Sequence, residues 1–218
     1  EIFETTIAKW FQDSTRKWDR KALSAFDQAA AREMSDLISS VNDEEYFRAA
    51  SLILEAQERG NRIHITGIGK PGHVSAYGAS LLSSTGTPTY FLHGTEAVHG
   101  SCGQLICGDV VIAISNSGET AELKATILAI KNNGCQVIAV TGNPDSWLAK
   151  QAEVHLSAGV KEEGDPLNRA PRASILAENF VIQRLSLILQ AHRNLDPIQY
   201  VKWHPGGTLG NLRDDEKS

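Results

Sequence analysis

Hydrophobic periodicity separates a helical first part of the chain from an alternating second part. Over residues 1–60, apolar side chains recur every three to four positions, which is typical of amphipathic helices. The clearest series is Leu23, Phe26, Ala30, Met34 and Leu37. Asn42-Asp43 interrupts the pattern and is suited to cap a second helix. Because helices ahead of the first strand cannot cover both faces of a parallel sheet, we expect them to pack on the sheet edge or on a neighbouring subunit.

From residue 61 onward, short apolar runs alternate with amphipathic segments. The runs are bounded by turn residues, which predicts strands that are buried on both faces. They span residues 62–66, 89–92, 110–114, 137–141 and 154–156. Helical patterns lie between them, and the longest one covers residues 173–192. Strands alternating with helices indicate the α/β class, with a doubly wound parallel sheet and right-handed crossovers.

Three turns follow the carboxyl ends of predicted strands, at residues 67–73, 115–120 and 141–144. Ligands of such sheets bind at this end, so we expect the turns to converge on one crevice. The segment SNSGET at 115–120 stands directly before a helix, whose free N–H groups and dipole favour an anion. Its hydroxyls indicate a phosphate monoester. The simpler alternative is that Ser117 or Thr120 only caps the helix.

The turn GIGKPGH at 67–73 presents Lys70 at the predicted crevice. It lacks the third glycine of a dinucleotide fingerprint and the GK[ST] of a P-loop. Lys70 is therefore either a crevice residue or an ordinary surface lysine. Glu119 and Glu122 both begin the helix after SNSG. One of them suits the helix dipole and the other can face a ligand, and the residues alone leave this choice open.

Candidate acid–base groups follow the last predicted strand and lie in glycine-rich loops. The run KEEGDP at 161–166 is either a solvated loop or a source of a catalytic carboxylate. His99 and His204 are the histidines best placed for proton transfer. No metal-ligand spacing occurs, so we expect no required metal and no organic cofactor. These groups suit aldose–ketose isomerisation of a phosphorylated sugar, in which a proton moves through an enediolate.

Composition narrows the possible partners and the compartment. The 218 residues suit one domain with helical additions. A net charge of -5 argues against nucleic acid, and the basic cluster at 16–21 is predicted to be a solvated helix face. We expect no membrane span and no signal peptide. The odd set Cys102, Cys107 and Cys135 contains no CxxC and indicates free thiols in a reducing cytoplasm.

Taken in order, the motifs resemble the sugar isomerase (SIS) domain family, and within it the arabinose-5-phosphate isomerases. The matching segments are GIGKPGH (67–73), SSTGTPTYFLHGTEAVHG (83–100), DVVIAISNSGETAEL (109–123), TGNPDSWLAKQAEVHL (141–156) and HPGGTLG (204–210). The resemblance implies a three-layer α-β-α sandwich with a five-stranded parallel sheet, in a homotetramer with sites between subunits. It implies interconversion of D-arabinose 5-phosphate and D-ribulose 5-phosphate, for lipopolysaccharide or capsule synthesis. We expect N-terminal helices over 1–60, the SIS domain over 61–213 and a frayed tail over 214–218.

The resemblance also implies which residues form the site. The family's catalytic positions fall on Lys70, Glu122, Glu163 and His204, so it selects Glu122 over Glu119. We assign Glu163 as the base, His204 or His99 to ring opening, Lys70 to the enediolate or phosphate, and Glu122 to orienting Lys70. Substrate and phosphate contacts fall on Gly69, Ser84, Gly86, Thr87, His93, Ser115, Asn116, Ser117, Gly118 and Thr120. In family members His93 can also hold an inhibitory zinc ion.

Two departures from the family pattern keep other functions open. Pro71 replaces the usual serine after the turn lysine, and Arg172 stands where the long helix usually begins with Ser or Thr. An isomerase of a hexulose or heptulose phosphate is therefore an alternative. A non-catalytic phosphosugar-binding regulator is another, although the first sixty residues contain no basic recognition helix. Many relatives continue into paired CBS domains, and we expect a short form without them.

Overall fold

The structure, a computed structural model, describes residues 19–217. The predicted helical positions 1–18 lie outside this range, together with Ser218 and the first half, 16–18, of the basic cluster at 16–21. The described helices are α1 (Arg20–Ser40), α2 (Asp43–Glu58), α3 (Lys70–Ser84), α4 (Ala121–Asn132), α5 (Trp147–Gln151), α6 (Ala173–His192) and α7 (Pro197–Trp203). The strands are β1 (Ile63–Gly67), β2 (Thr89–Phe91), β3 (Val110–Ile114), β4 (Gln136–Thr141) and β5 (Val154–Ser157). Short 3-10 turns cover Glu96–His99, Ser101–Gln104, Thr208–Gly210 and Asp214–Glu216.

The first two helices begin at side-chain caps. The Asp19 carboxylate accepts the N–H groups of Lys21 and Ala22 at 2.9 and 3.0 Å. Asn42 accepts the N–H of Glu44 at 3.2 Å, which confirms its predicted role as the cap of α2. Each cap satisfies N–H groups that have no partner inside the helix.

All five strands are parallel and lie in the order β2-β1-β3-β4-β5. The central strand β3 pairs with β1 through Ile63 and Val110, and with β4 through Val110 and Gln136. The predicted α/β class and parallel sheet are confirmed. Because the strands are parallel, the loops after all five of them open at one end of the sheet. We call this the carboxyl end, and the opposite one the amino end.

Two hydrophobic clusters cover the two faces of the sheet. One joins α2, α3 and α6 to side chains such as Ile65, Ile112 and Val140. The other joins α4 and α5 to the intervening residues, such as Val111 and Ala139. Successive strand residues point to opposite faces, so β3 and β4 contribute to both clusters. This is the predicted three-layer α-β-α sandwich.

Helix α2 lies on a face of the sheet rather than on the predicted edge. Its residues Tyr46, Ala49, Ile53 and Ala56 are nearly or completely buried and belong to the first cluster. They recur at helical spacing, and the small alanines allow the helix to approach the strands closely. The helix therefore completes a layer that the later helices do not fill alone.

Asp109 holds together the amino ends of β1 and β3. Its carboxylate accepts the N–H groups of Arg62 at 2.8 Å and Ile106 at 3.0 Å, and it pairs with His64 Nε2 at 3.0 Å. Burial lowers the pKa of His64 against the opposing effect of Asp109. His64 therefore has a structural role at the amino end of the sheet.

Residues 213–217, at the end of the described range, make local contacts with one another. Asp214–Glu216 form a 3-10 turn, and Glu216 accepts the N–H of Arg213 at 2.9 Å while pairing with its guanidinium. Lys217 pairs with Asp214 at 2.7 Å. Alternating charges three residues apart provide these local contacts. Among residues 19–217, no helix has both the length and the apolar character that crossing a bilayer requires.

Candidate functional site

Three loops meet at the carboxyl end of the sheet. A Cβ added to Gly94 would overlap the Ile68 side chain and lie 2.9 Å from the Gly67 carbonyl oxygen. The Thr126 hydroxyl donates to the Gly94 carbonyl and to that of Glu122. The loop after β1, the loop after β2 and the first turns of α4 are therefore in direct contact. The loops after β3 and β4 also meet, since the Gly142 N–H donates to the Asn116 carbonyl at 2.9 Å. Of the three predicted turns, those at 115–120 and 141–144 are therefore in direct contact, and the turn at 67–73 reaches α4 through the loop after β2.

The turn between β1 and α3 is tight and places Lys70 at the start of the helix. A Cβ on Gly67 would lie 2.8 Å from the Pro71 carbonyl, and Gly69 adopts φ +66°. Lys70 is exposed and is the first residue of α3. Pro71 fits the next position because N–H groups in the first helical turn need no intrahelical partner. The departure at Pro71 thus leaves the turn intact.

The segment at 115–120 places three side-chain hydroxyls directly before α4. Ser115 Oγ accepts the N–H of Gly118 at 3.1 Å and lies 3.2 Å from the Thr120 hydroxyl. Ser117 Oγ accepts the N–H of Glu119 at 3.2 Å. Thr120 is the N-cap residue of α4, yet its side chain makes no capping hydrogen bond. The structure therefore does not show the capping alternative. The N–H groups of the first turn have no side-chain cap from Thr120, an arrangement that is suited to an anion.

Gly118 is the residue in this segment that tolerates least change. It has φ +66°, and an added Cβ would overlap Ser146 Oγ. Ser146 is buried and cannot withdraw without loss, because it caps α5 by accepting the N–H of Ala149. We expect Gly118→Ala to reduce the free energy of unfolding by about 2–3 kcal/mol, from combined backbone strain and overlap.

Urea unfolding monitored by circular dichroism measures this effect. The matched control is Gly60→Ala, since Gly60 also has positive φ, +81°, but an added Cβ there meets nothing within 4 Å. That variant should lose about 1 kcal/mol from backbone strain alone. Equal losses for the two variants would show that the contact with Ser146 does not constrain the loop.

Glu119 is committed to structural contacts and Glu122 is not. Glu119 accepts the N–H of Trp147 at 2.7 Å and pairs with Lys124 at 2.5 Å. The Lys124 contact, followed by the Trp147 bond, lowers the pKa of Glu119. Glu122 is exposed at the second position of α4, next to the loop after β2. The choice that the residues alone left open therefore favours Glu122 as the carboxylate that faces a ligand.

Glu163 is a buried carboxylate at the head of α6. Its side chain is 9% exposed, and its Oε2 accepts the N–H groups of Arg172 at 2.7 Å and Ser174 at 3.1 Å. Its own N–H donates to the Asn168 side chain at 2.6 Å. An acidic group at a helix N-terminus is stabilised by these donors and by the dipole. The loop thus fixes Glu163 at the carboxyl end of the sheet, with Oε1 free of these contacts.

Arg172 is held within the same loop. Its guanidinium pairs with Asp165 at 2.9 Å, and Asp165 also accepts the N–H groups of Leu167 and Ala170. Asp165 has a lowered pKa, chiefly because of its bond to the Leu167 N–H. The departure at Arg172 therefore closes the loop around Asp165 in this structure.

Helix α1 fastens the loop that carries Glu163, a role that sequence reasoning missed. The buried Glu33 accepts the N–H of Lys161 at 2.8 Å, and Asp36 pairs with the Lys161 ammonium at 2.7 Å. A Cβ on Gly164 would lie 2.9 Å from Ala29. The sequence did contain a signal, because Glu33 interrupts the apolar stripe of α1 between Ala29 and Leu37.

His204 and the loop after α3 lie at the amino end of the sheet. Helix α3 runs back from the carboxyl end, so Ser84, Gly86 and Thr87 precede β2, which starts beside Ile63. Helix α6 also runs back, and Arg193 just after it donates to Thr87 at 3.3 Å. A Cβ on Gly86 would lie 3.3 Å from Trp203, the neighbour of His204. One chain therefore does not bring these residues to Lys70, Glu122 and Glu163.

The two histidines after β2 differ in their contacts. His93 follows β2 at the carboxyl end, and its Nδ1 accepts the Glu96 N–H at 3.3 Å and lies 3.0 Å from the Thr95 hydroxyl. His99 is exposed at the end of the 3-10 turn Glu96–His99.

His204 Nδ1 lies 2.7 Å from the Tyr200 carbonyl, and the rings of His204 and Tyr200 stack 4.0 Å apart. Across residues 19–217, His, Cys, Asp and Glu side chains form no group of three suited to a metal ion.

The fold and these loops define a class of protein: a parallel α/β domain with a hydroxyl-rich segment, a lysine and two glutamates at the carboxyl end of its sheet. The model of the SIS domain matches residues 57–185. The chain belongs to the SIS domain family.

Named relatives within the family include isomerases. The chain is 40% identical over 177 residues to arabinose 5-phosphate isomerase KdsD of Pseudomonas aeruginosa, a match that covers 81% of this chain and 53% of the relative. It is 33% identical over 201 residues to arabinose 5-phosphate isomerase KpsF of Escherichia coli, covering 91% and 62%. The chain thus spans about half the length of the curated relatives that it matches at 40% identity.

A solved structure of an E. coli CFT073 protein in complex with arabinose 5-phosphate shares the fold. Its TM-score is 0.76 at 34% identity, and the match covers 84% of this chain and 95% of that one. The three-layer sandwich and its five-stranded sheet are therefore those of the family.

Proposed function

We propose that the chain is a phosphosugar aldose–ketose isomerase that interconverts D-arabinose 5-phosphate and D-ribulose 5-phosphate. The observation that carries this is the buried carboxylate of Glu163, fixed at the same end of the sheet as the phosphate segment and Lys70. The KdsD and KpsF relatives are named for this sugar, and a structure with arabinose 5-phosphate bound shares the fold. The reaction belongs to the supply of lipopolysaccharide or capsule precursors in the cytoplasm.

The phosphate segment anchors the substrate and leaves the other end of the sugar to the acid–base groups. The phosphate accepts hydrogen bonds from Ser115, Ser117 and Thr120 and from N–H groups at the start of α4. Gly69, Asn116 and Gly118 complete the binding set within the chain, and Ser84, which lies at the amino end of the sheet, would join it from a neighbouring subunit. Holding the sugar at one end in this way turns proton transfer into an intramolecular step.

Glu163 removes the proton from the carbon next to the carbonyl. Oε2 is held by two N–H groups, so Oε1 takes the proton and the electron pair forms the enediolate. Lys70 stabilises the negative oxygen, and Glu122 orients Lys70. The proton of the C2 hydroxyl moves to the C1 oxygen and Glu163 returns its proton to C1, so that the carbonyl passes from C1 to C2 with no atom gained or lost. His204 or His99 opens the sugar ring before this step.

The assembly we propose is a homotetramer with sites between subunits. Lys70 and His204 lie at opposite ends of the sheet in one chain, so a site that uses both needs a second copy. Exposed apolar side chains on the edge strand β2 and in the loop after it suit such contacts, among them Tyr90, Phe91 and Val98. In the assembly Gly86 and Thr87 of one subunit would join a neighbour's crevice.

Conversion of each sugar phosphate by the purified protein in D2O tests the activity. We expect both sugars to reach one equilibrium mixture, with deuterium incorporated at C2 of arabinose 5-phosphate, since an enediolate exchanges its proton with solvent. Proton NMR follows both events. Tight binding without turnover would instead identify a phosphosugar-binding regulator. Turnover of only a hexulose or heptulose phosphate would replace the substrate but keep the reaction.

A further inference from the structure

Helix α6 buries a second carboxyl group that the proposed chemistry does not use. Glu178 is 0% exposed, and within residues 19–217 neither of its side-chain oxygens has a hydrogen-bond partner. The hydroxyl of Ser174, one helical turn earlier, is likewise buried without a partner. Buried polar groups almost always have a hydrogen-bond partner, so two groups without one, a single helical turn apart, call for a functional explanation.

These exceptions lie next to the proposed base. The N–H of Ser174 donates to Glu163, and Glu178 follows Ser174 at i+4 on the same buried stripe of α6. Burial, and after it the charge of Glu163, raise the pKa of Glu178 to about 8. A fully buried carboxyl without a hydrogen-bond partner is costly to ionise, and a neighbouring negative charge adds to that cost. Glu178 is therefore protonated at neutral pH.

The other elements that pack against α6 place few charged side chains near Glu178. Helix α1 contributes Glu33, which is bound to the Lys161 N–H. Helix α2 contributes Asp43, which pairs with Arg184 farther along α6. Strand β4, QVIAVT, has no ionisable side chain. Helix α3 begins at Lys70, with His73 in the same turn, and both are exposed.

We propose that Glu178 is a positioning residue of the isomerase: as a neutral acid beside Glu163, it keeps the carboxyl pair at a single negative charge while the enzyme works. The inference rests on the proposed function, because Glu163 matters here as its base. When Glu163 takes the substrate proton, the pair becomes neutral, and when Glu163 returns the proton the single charge is restored. Glu178 keeps its own proton throughout.

Loss of the Glu178 proton would put a second negative charge beside the site. The substrate phosphate and the enediolate are both anionic, so an additional charge opposes binding and weakens the transition state. Glu178 therefore sets the alkaline limit of activity. The neutral form of Glu178 supports proton transfer by Glu163, and the ionised form opposes it.

The pH dependence of kcat in wild type and Glu178→Gln tests the proposal. Glutamine keeps the size of the side chain but has no proton to lose. We expect wild-type kcat to fall tenfold per pH unit above about pH 8, and this limb to move up by at least one pH unit in the variant. The matched control is Glu162→Gln, which removes a partly exposed carboxylate from the same loop and should leave the alkaline limb in place.

An unchanged alkaline limb in Glu178→Gln would overturn the proposal. Urea unfolding between pH 5 and pH 9 gives a readout that does not need turnover. A carboxyl whose pKa is higher in the folded chain binds its proton more tightly there, so stability falls as pH rises from the usual glutamate range to about 8. The wild-type unfolding midpoint should fall over this range relative to that of Glu178→Gln.

The two measurements separate failure of this inference from failure of the proposed function. Wild type without isomerase activity contradicts the function, while the unfolding series still tests whether Glu178 is neutral. Parallel unfolding midpoints in the two proteins would show that Glu178 is ionised at neutral pH, which contradicts the inference alone. If Glu178→Gln does not fold, Glu178→Met supplies another side chain without a proton for both series.

Discussion

Glu163→Gln reduces kcat by about 10³-fold or more and leaves binding of arabinose 5-phosphate near the wild-type value. Loss of a positioned base costs about 10²–10⁴ in rate, and here no neighbouring group replaces it. The amide oxygen of glutamine still accepts the N–H groups of Arg172 and Ser174, so the head of α6 remains formed. Turnover measured by NMR and binding measured by calorimetry separate the two effects.

Glu162→Gln is the control for this change, because it alters the adjacent residue by the same atoms. Glu162 is partly exposed and pairs with Arg32 on α1, and its surface ion pair contributes little. We expect that variant to keep at least half of the wild-type kcat. If Glu163→Gln retained a tenth of the activity, the base would have to be another residue. If it lost binding as well, Glu163 would be a substrate ligand first.

Most of the fold could be predicted because buried parallel strands leave a strong pattern. The runs at 110–114 and 137–141 are apolar throughout, and both became strands near those bounds. Helix α6 was predicted over its full length from periodicity. The face on which α2 packs could not be derived, because an apolar stripe records that a helix is buried but not which surface buries it.

The candidate site divides in a similar way. The turns that follow the strands could be placed together from topology alone, because the carboxyl ends of parallel strands lie at the same end of the sheet. The different roles of Glu119 and Glu122 depend on Trp147 and Lys124, and contact with Trp147 across 28 residues leaves no local signal. Glu178 did leave a signal in the sequence, because it interrupts the apolar stripe of α6 between Ala177 and Val181. The role of that carboxyl, however, depends on its contact with Glu163.

The separation of Lys70 from His204 has a consequence that can be measured by mixing two inactive proteins. Lys70→Ala and His204→Ala should each lose activity by on the order of 10²-fold. Co-expressed with different tags and purified as mixed assemblies, they should recover about a quarter of wild-type activity. If each site takes Lys70 from one subunit and His204 from another, random assembly gives about one intact site in four.

The matched control pairs Lys70→Ala with Glu163→Gln. Both residues lie at the carboxyl end of the same sheet, on the loops after β1 and β5. Each site therefore takes both from one chain, and every site in this mixture lacks one of them. No recovery is expected. Recovery in this control, or its absence when Lys70→Ala is mixed with His204→Ala, would contradict a site shared in this way. Recovery in the control would mean that Lys70 and Glu163 come from different subunits. Absence of recovery with His204→Ala would instead make His99, in the loop after β2, the ring-opening group, and each chain would hold a complete site.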